Sequence, residues 1–147
     1  MTEQRLRAIE DVQEITRLKG RYTMLADSGP DRPHSGREIS ELFIEDGIWH
    51  IVPTGSAKVG RAAIKEHFDN VQLFPFSYHL LGNPIIEVDG DTARGQWHVV
   101  VAFTHSEAGK MWVAGYYDDE FVRTADGWRF RSLVCTAAAA APYGASW

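Results

Sequence analysis

The sequence predicts an α+β domain in which N-terminal helices pack against one face of a curved antiparallel sheet. Apolar residues recur every three or four positions in the first part of the chain, and every second position after about residue 78. Turn signals such as Asp89-Gly90-Asp91 separate the alternating segments of the second part. The 147 residues suit one domain, 1–147, and a chain of this length buries roughly 70% of its unfolded surface, enough for a core with a pocket.

The helices are predicted from apolar spacing and from the residues that stop them. The first helix runs over 2–26 and ends before Ser28-Gly29-Pro30. A shorter helix follows at 36–43, and a third spans 61–71. The apolar positions of the first helix lie at helical spacing: Leu6, Ile9, Val12, Ile15, Leu18, Tyr22 and Leu25. In the third helix Ile64, Phe68 and Val71 share one face.

The strands are predicted between turn signals. Asp46-Gly47 turns into a first strand, and four longer strands form a meander. These five strands cover 48–52, 78–88 with a break at 82–84, 93–105, 111–123 and 128–136. Residues 136–147 are predicted as a C-terminal tail, in which Ala137 to Ala141 are too few to form a helix alone.

Alternation along the strand 93–105 distinguishes its two faces. The more apolar set, predicted to face the helices, comprises Trp97, Val99, Val101, Phe103 and His105. His98 therefore points away from the core, and His105 lies near its rim.

Composition and charge exclude several classes of protein. The net charge of −5 argues against non-specific nucleic-acid binding, and no apolar run approaches the length of a membrane span. A charged N-terminus without a signal-peptide core and a single cysteine, Cys135, indicate a reducing cytoplasm. The six histidines show no metal-binding spacing, so no metal is expected, and Gly55 to Gly60 lack the ending of a phosphate-binding loop. The acidic run 118–120 is interpreted as a solvated strand edge.

Five segments, in this order and spacing, resemble a known family. They are RYTMLAD at 21–27, LFIEDGIW at 42–49, GRAAIKEHF at 60–68, YHLLGNPIIEVDGDTARGQW at 78–97 and GYYDDEFVRTADGWRF at 115–130. The chain is similar to the SnoaL-like family of the nuclear transport factor two-like superfamily over about residues 5–135. The resemblance implies a cone-shaped sheet wrapped over the helices (a cystatin-like α+β barrel), with a pocket between them.

The resemblance also points to three polar residues at positions that dehydratases of the family use. It implies a dyad of Asp27 and His79, with Tyr22 as a hydrogen-bond donor to a substrate oxygen. Imidazole exchanges a proton near neutral pH, and a carboxylate on its other nitrogen fixes its tautomer, so the pair can act as a base. Each residue also has a plainer interpretation: Asp27 as a solvated turn residue, His79 as a structural strand residue and Tyr22 as core.

The chain departs from those dehydratases in ways that make the predicted pocket more apolar. Leu133 stands where related enzymes carry an arginine, and alternation places Arg129 and Arg131 on its face. Val99 to Ala102 offer no second aspartate, and Phe103 replaces a second histidine. The predicted pocket walls are Trp49, Phe68, Trp97, Phe103, His105 and Tyr116.

Three functional hypotheses follow. The first is a cofactor-independent lyase of the dehydratase type that acts on a hydrophobic aromatic or polycyclic small molecule. The second is an isomerase that moves a proton along an enone with the same base. The third is a non-catalytic binding or assembly module of the same fold. A large separation of Asp27 and His79, or a cavity packed solid by side chains, would favour it. The resemblance also implies a homodimer or homotrimer formed through the outer sheet face.

Overall fold

The computed structural model describes residues 2–70 and 74–145. Its elements are α1 (Glu3–Ala26), α2 (Gly36–Ser40), β1 (Phe43–Val52), β2 (Lys58–Val59), α3 (Arg61–Asp69), β3 (Phe76–Asp89), β4 (Thr92–His105), β5 (Gly109–Thr124) and β6 (Gly127–Pro142). The strands form one curved, unclosed sheet in the order β2-β1-β6-β5-β4-β3, so the predicted fold class is confirmed. No helix among these residues is long and apolar enough to cross a membrane.

The sheet contains one pairing that strand alternation could not predict. β3 to β6 form the expected antiparallel meander, but β1 runs parallel to β6, with Trp49 opposite Leu133 and Ile51 opposite Cys135. Adjacent parallel strands must be joined by a long crossover connection. Here the connection from β1 to β6 contains α3 and the strands β2 to β5.

Several predicted boundaries move. The prediction of a turn at Asp46-Gly47 was wrong. This dipeptide lies within β1, where the pairing with β6 is irregular between Phe43 and Ile48. β3 passes through the predicted break at 82–84, with an irregularity that leaves Asn83 at φ 53°. Most of the predicted tail is also strand, because the alanine run pairs with β5 as far as Pro142 opposite Met111. Val71 and Trp147 lie outside the described residues.

α1 packs on the sheet through a different stripe from the predicted one. The apolar residues of its first half, Leu6, Ile9 and Val12, are exposed. The buried residues are Asp11, Ile15, Lys19, Tyr22, Thr23 and Ala26. Asp11 is held at the sheet by Arg123 and Trp128, so a polar contact anchors the half of the helix where apolar burial was expected.

The inner face of the sheet is predicted correctly. On β4, Trp97 and Val99 are buried while His98 and Val100 are exposed. The core lies between this face and the helices, and it includes Phe43, Phe121, Phe130 and Leu133.

Candidate functional site

The candidate site lies along the outer edge of β3, which is an edge strand of the sheet. Residues that follow α1 cover this edge, because Ser28 and Ser77 exchange both backbone hydrogen bonds, at 3.0 and 3.2 Å. Covering an edge strand satisfies its outward-facing N–H and C=O groups. The bridge places Asp27, the C-cap residue of α1, beside His79, two residues along β3.

Asp27 binds His79 through two contacts made by one carboxylate oxygen. Oδ1 accepts the backbone N–H of His79 at 2.8 Å and lies 2.9 Å from its Nδ1. Because a carboxylate only accepts, Nδ1 carries the proton and the neutral ring keeps its lone pair on Nε2. The side chains are 14% and 13% exposed. The structure therefore brings together two residues that are 52 positions apart in sequence.

Tyr22 lies in the core, and this corrects its predicted role as a donor to a ligand. It falls on the buried face of α1, where its ring meets Tyr117 and Phe130 edge-on. Its hydroxyl oxygen accepts the indole N–H of Trp49 at 2.7 Å. Burial raises the pKa of Tyr22 well above its usual range, so the hydroxyl stays protonated. In this position Tyr22 orients Trp49.

Two of the predicted wall residues are packed in the core. Phe68 and Trp97 are both buried. Trp97 packs edge-on against Phe121, and its indole occupies the space where a side chain on Gly95 would stand. Since Trp97 lies four residues along β4 from Val101, the partner of His79, it is remote from the dyad.

Trp49 stays half-buried on the inner face. Its indole stacks on His67 with ring centroids 4.5 Å apart and meets Phe68 at 5.3 Å. Burial lowers the pKa of His67. Trp49 is thus the predicted wall residue that remains partly open beside the helices.

Phe103 and His105 are half-buried at the C-terminal end of β4, where both rings contact Phe74. The His105 Nδ1 accepts the backbone N–H groups of Glu107 and Ala108, so this ring also closes the β4–β5 turn. Tyr116 was predicted wrongly as a pocket wall: it is 47% exposed and pairs with His98 on the outer face.

Neither arginine of β6 lies on the face of Leu133. The β5–β6 pairing shifts between Glu120 and Phe121, which leaves Arg131 unpaired and exposed and reverses the alternation. Arg129 binds the carbonyl oxygens of Asp126 and Trp128 at the hairpin turn. The extra residue of a β-bulge reverses which residues face inward, and strict alternation along the sequence cannot predict this.

The side chains of the inner face are less buried near the dyad. Trp97 and Val99 are fully covered, whereas Val101, Phe103 and Val113 are only partly covered. Val101 pairs directly with His79, and Val113 pairs with Val101. The apolar surface next to the dyad is therefore incompletely filled by the residues that the structure describes.

Two surface depressions lie elsewhere. One of about 450 Å³ lies at the far ends of β3 to β6, with Arg94, Glu120 and Arg131 at its rim. The other, about 250 Å³, lies between α1 and the β5–β6 turn. Asp27 and His79 line neither of them.

Sequence reasoning missed a buried ion pair in the core, away from the dyad. Asp119 was expected on a solvated edge, but β5 is an interior strand and the carboxylate is 0% exposed. Its Oδ2 lies 2.7 Å from the Nζ of Lys19, which stands over the Tyr117 ring. Burial lowers the pKa of Lys19 to about 8 and raises that of Asp119 to about 6. Alternation with Tyr117 and Phe121 would have placed Asp119 on the inner face.

Ser28 and Ser77 were also missed. Each stands one or two positions from a dyad residue, and that spacing was the available signal. Cys135 is buried as predicted, and burial raises the pKa of its thiol to about 11. In residues 2–70 and 74–145, no three His, Cys, Asp or Glu side chains cluster as metal ligands would.

A sequence profile of the SnoaL-like domain matches residues 7–134. The chain belongs to the SnoaL-like family. A curated relative, an uncharacterized protein of Mycobacterium tuberculosis, is 41% identical over 65 residues, a match that spans 43% of this chain and 44% of the relative's length.

Solved structures share the fold of this SnoaL-like chain. An NTF2-like protein with a cystatin-like fold from Novosphingobium aromaticivorans is 32% identical, with 97% of this chain and 89% of that chain covered and a TM-score of 0.71. A putative scytalone dehydratase from the same species is 19% identical, with both chains covered fully and a TM-score of 0.72. The hexachlorocyclohexane dehydrochlorinase LinA-type3 from Novosphingobium barchaimii is 20% identical, with coverage of 97% and 95% and a TM-score of 0.77.

Proposed function

We propose that this SnoaL-like protein is a cofactor-independent lyase, which eliminates water from a hydrophobic aromatic or polycyclic small molecule. The observation that carries the proposal is the Asp27–His79 contact, in which one carboxylate oxygen holds both the backbone and the ring of the histidine. The contact holds the imidazole in one orientation with Nε2 free, as a general base requires. The names of two structural neighbours, a putative dehydratase and a dehydrochlorinase, agree with an elimination.

His79 acts as the base in the proposed reaction. Its Nε2 lone pair removes a proton from a substrate carbon, and the electron pair of that C–H bond forms the new double bond as the C–O bond breaks. The imidazolium returns its proton to the departing oxygen, which leaves as water. Asp27 stabilises the imidazolium and keeps the ring in one orientation. A base placed in this way contributes roughly 10²–10⁴-fold to the rate.

The chemistry of the ligand is inferred from the surface beside the dyad. Val101 and Val113 offer only aliphatic contacts, and Phe103 adds a half-buried aromatic ring. Such a surface favours a flat apolar compound over a sugar or a phosphorylated metabolite.

The experiment compares His79→Gln with the wild-type chain on a panel of planar phenolic and steroidal alcohols in deuterated water, with products followed by mass spectrometry. We expect the wild type to remove water and His79→Gln to lose at least about 100-fold in rate. His98→Gln is the matched control, because His98 is exposed on the outer face, where its Nδ1 contacts the Asn83 amide.

Full activity in His79→Gln would overturn the proposal. Deuterium uptake without loss of water would replace it with the isomerase. Wild-type protein that binds a compound of the panel and leaves it unchanged would favour the binding module.

We also propose that a second copy of the chain covers the outer face of the sheet. Two uncharged rows cross this face, which we call the outer apolar face: Tyr78, Ala102, Trp112, Ala141 and Leu80, Val100, Ala114, Ala139. Large exposed side chains lie on β3, and alanines lie on β6. A two-fold axis would bring the large residues of each copy over the alanines of the other, which is the self-complementarity that a symmetric dimer needs.

A further inference from the structure

The hydroxyl groups of Ser28 and Ser77 lie where the two dyad residues are joined. Ser28 follows Asp27 in the chain, and Ser77 precedes His79 by two residues on the same face of β3. Both serines are buried, at 8% and 7% exposure. Their Oγ atoms are 3.1 Å apart.

Each hydroxyl also binds a backbone carbonyl. Ser77 donates to the carbonyl oxygen of Ala26 at 2.9 Å, one residue before Asp27. Because the hydrogen of Ser77 is used on Ala26, the bond between the two serines depends on the one hydrogen of Ser28. That hydrogen is shared between the Ser77 oxygen at 3.1 Å and the carbonyl oxygen of Phe74 at 3.2 Å. The pair therefore links the end of α1, the following residues and the approach to β3.

This link constrains the distance on which the dyad depends. The segments that hold Asp27 and His79 are joined by the dyad contacts and by an isolated bridge, the two backbone hydrogen bonds between Ser28 and Ser77. An isolated bridge of this kind can hinge, and the hydroxyl bonds add further connections beside it.

We propose that Ser28 and Ser77 are positioning residues, whose paired hydroxyls hold the Asp27 carboxylate on both N–H groups of His79 and thereby keep Nε2 as the free nitrogen. The inference rests on the proposed function for its catalytic meaning. The geometry it describes can be measured without a substrate.

The test uses the full chain and NMR of His79. The variants are Ser77→Ala, Ser28→Ala and Ser77→Thr, which keeps the hydroxyl. Ser40→Ala is the matched control, because Ser40 is also buried and also donates to a backbone carbonyl, that of Arg37, away from the dyad. The readouts are the hydrogen-exchange rate of the His79 backbone N–H relative to amides of β4, and the ring ¹⁵N shifts that report its tautomer.

We expect Ser77→Ala and Ser28→Ala each to raise the relative exchange rate of the His79 N–H by about 10-fold and to mix the ring tautomers. Ser77→Thr should resemble the wild type, as should Ser40→Ala. The proposal is overturned if either alanine variant folds and leaves both His79 readouts unchanged, or if Ser40→Ala alters them equally.

Activity separates this inference from the proposed function. With a compound that the wild type turns over, Ser77→Ala should lower kcat and leave KM within about 2-fold, since binding energy is unchanged. If His79→Gln proves fully active while Ser77→Ala still mixes the tautomers, the positioning role stands and the lyase proposal fails.

Discussion

The ammonium group of Lys19 and the carboxylate of Asp119 lie within the core, where water cannot solvate them. Burial shifts the pKa of each group toward the neutral form, down for Lys19 and up for Asp119. These directions mean that the protein spends free energy to keep both groups charged, and that their mutual attraction offsets part of that cost.

A double-mutant cycle tests this balance. Lys19→Met or Asp119→Leu alone should lower the free energy of unfolding by about 3–5 kcal/mol, because each leaves a buried charge without its partner. The double variant should unfold at or above the wild-type free energy. Urea titration measures all four proteins, and strictly additive losses would contradict the account.

The dyad residues could be predicted from the sequence, whereas the surroundings of Tyr22 and Lys19 could not. Asp27 and His79 were found because a family resemblance supplied their roles, and the edge of β3 does bring them together. Tyr22 was misjudged because one helix face holds both core and pocket-lining side chains. Lys19 was overlooked because a lysine on a helix is ordinarily solvated.

At the scale of elements, α1 is fastened to the sheet by polar contacts at two places. Its C-terminal end is joined to β3 at the dyad, and its first half is joined to β5 by Asp11. The carboxylate of Asp11 takes two hydrogen bonds from Arg123, at 2.7 and 2.8 Å, and one from the Trp128 indole at 3.1 Å. The Arg123 hydrogen bond is the main reason that the pKa of Asp11 is lowered.

Asp11→Asn should lower the free energy of unfolding by about 2 kcal/mol at neutral pH, the usual value for hydrogen bonds to a charged group. A carboxyl group with a lowered pKa stabilises the fold above its ordinary value of 3.8 and loses that contribution as pH falls further. The difference between wild type and Asp11→Asn should therefore shrink below pH 3.8.

Asp91 supplies the control for this experiment. It also binds Arg123, at 2.8 Å, but is 75% exposed. Asp91→Asn should change the unfolding free energy by less than about 0.5 kcal/mol. A gap between wild type and Asp11→Asn that persists unchanged well below pH 3.8 would count against the ion pair.

Element prediction succeeded where one local period dominates. The strands β4 and β5 follow from alternation, and the β3–β4 and β5–β6 turns follow from Asp89-Gly90 and Asp126-Gly127. It failed where the deciding contact is distant, as for the strand formed by Ala137 to Ala141, which owes its conformation to β5. Alanine has little preference for strands, so no local signal marked it.

At the scale of the whole molecule, the outer apolar face predicts self-association. Light scattering at micromolar concentration should give a dimer for the wild type and a monomer for Leu80→Arg, because the charge falls in the middle of the uncharged rows. Val59→Arg is the control: Val59 is 60% exposed against 64% for Leu80, but lies on β2 at the other edge of the sheet. A monomeric wild type, or a dimeric Leu80→Arg, would refute the arrangement.

The parallel contact between β1 and β6 orders the events of biosynthesis. Trp49 meets its neighbour Leu133 only after more than eighty further residues have left the ribosome. Until then the edge of β1 that pairs with β6 keeps its backbone N–H and C=O groups unpaired, and a chaperone can bind there.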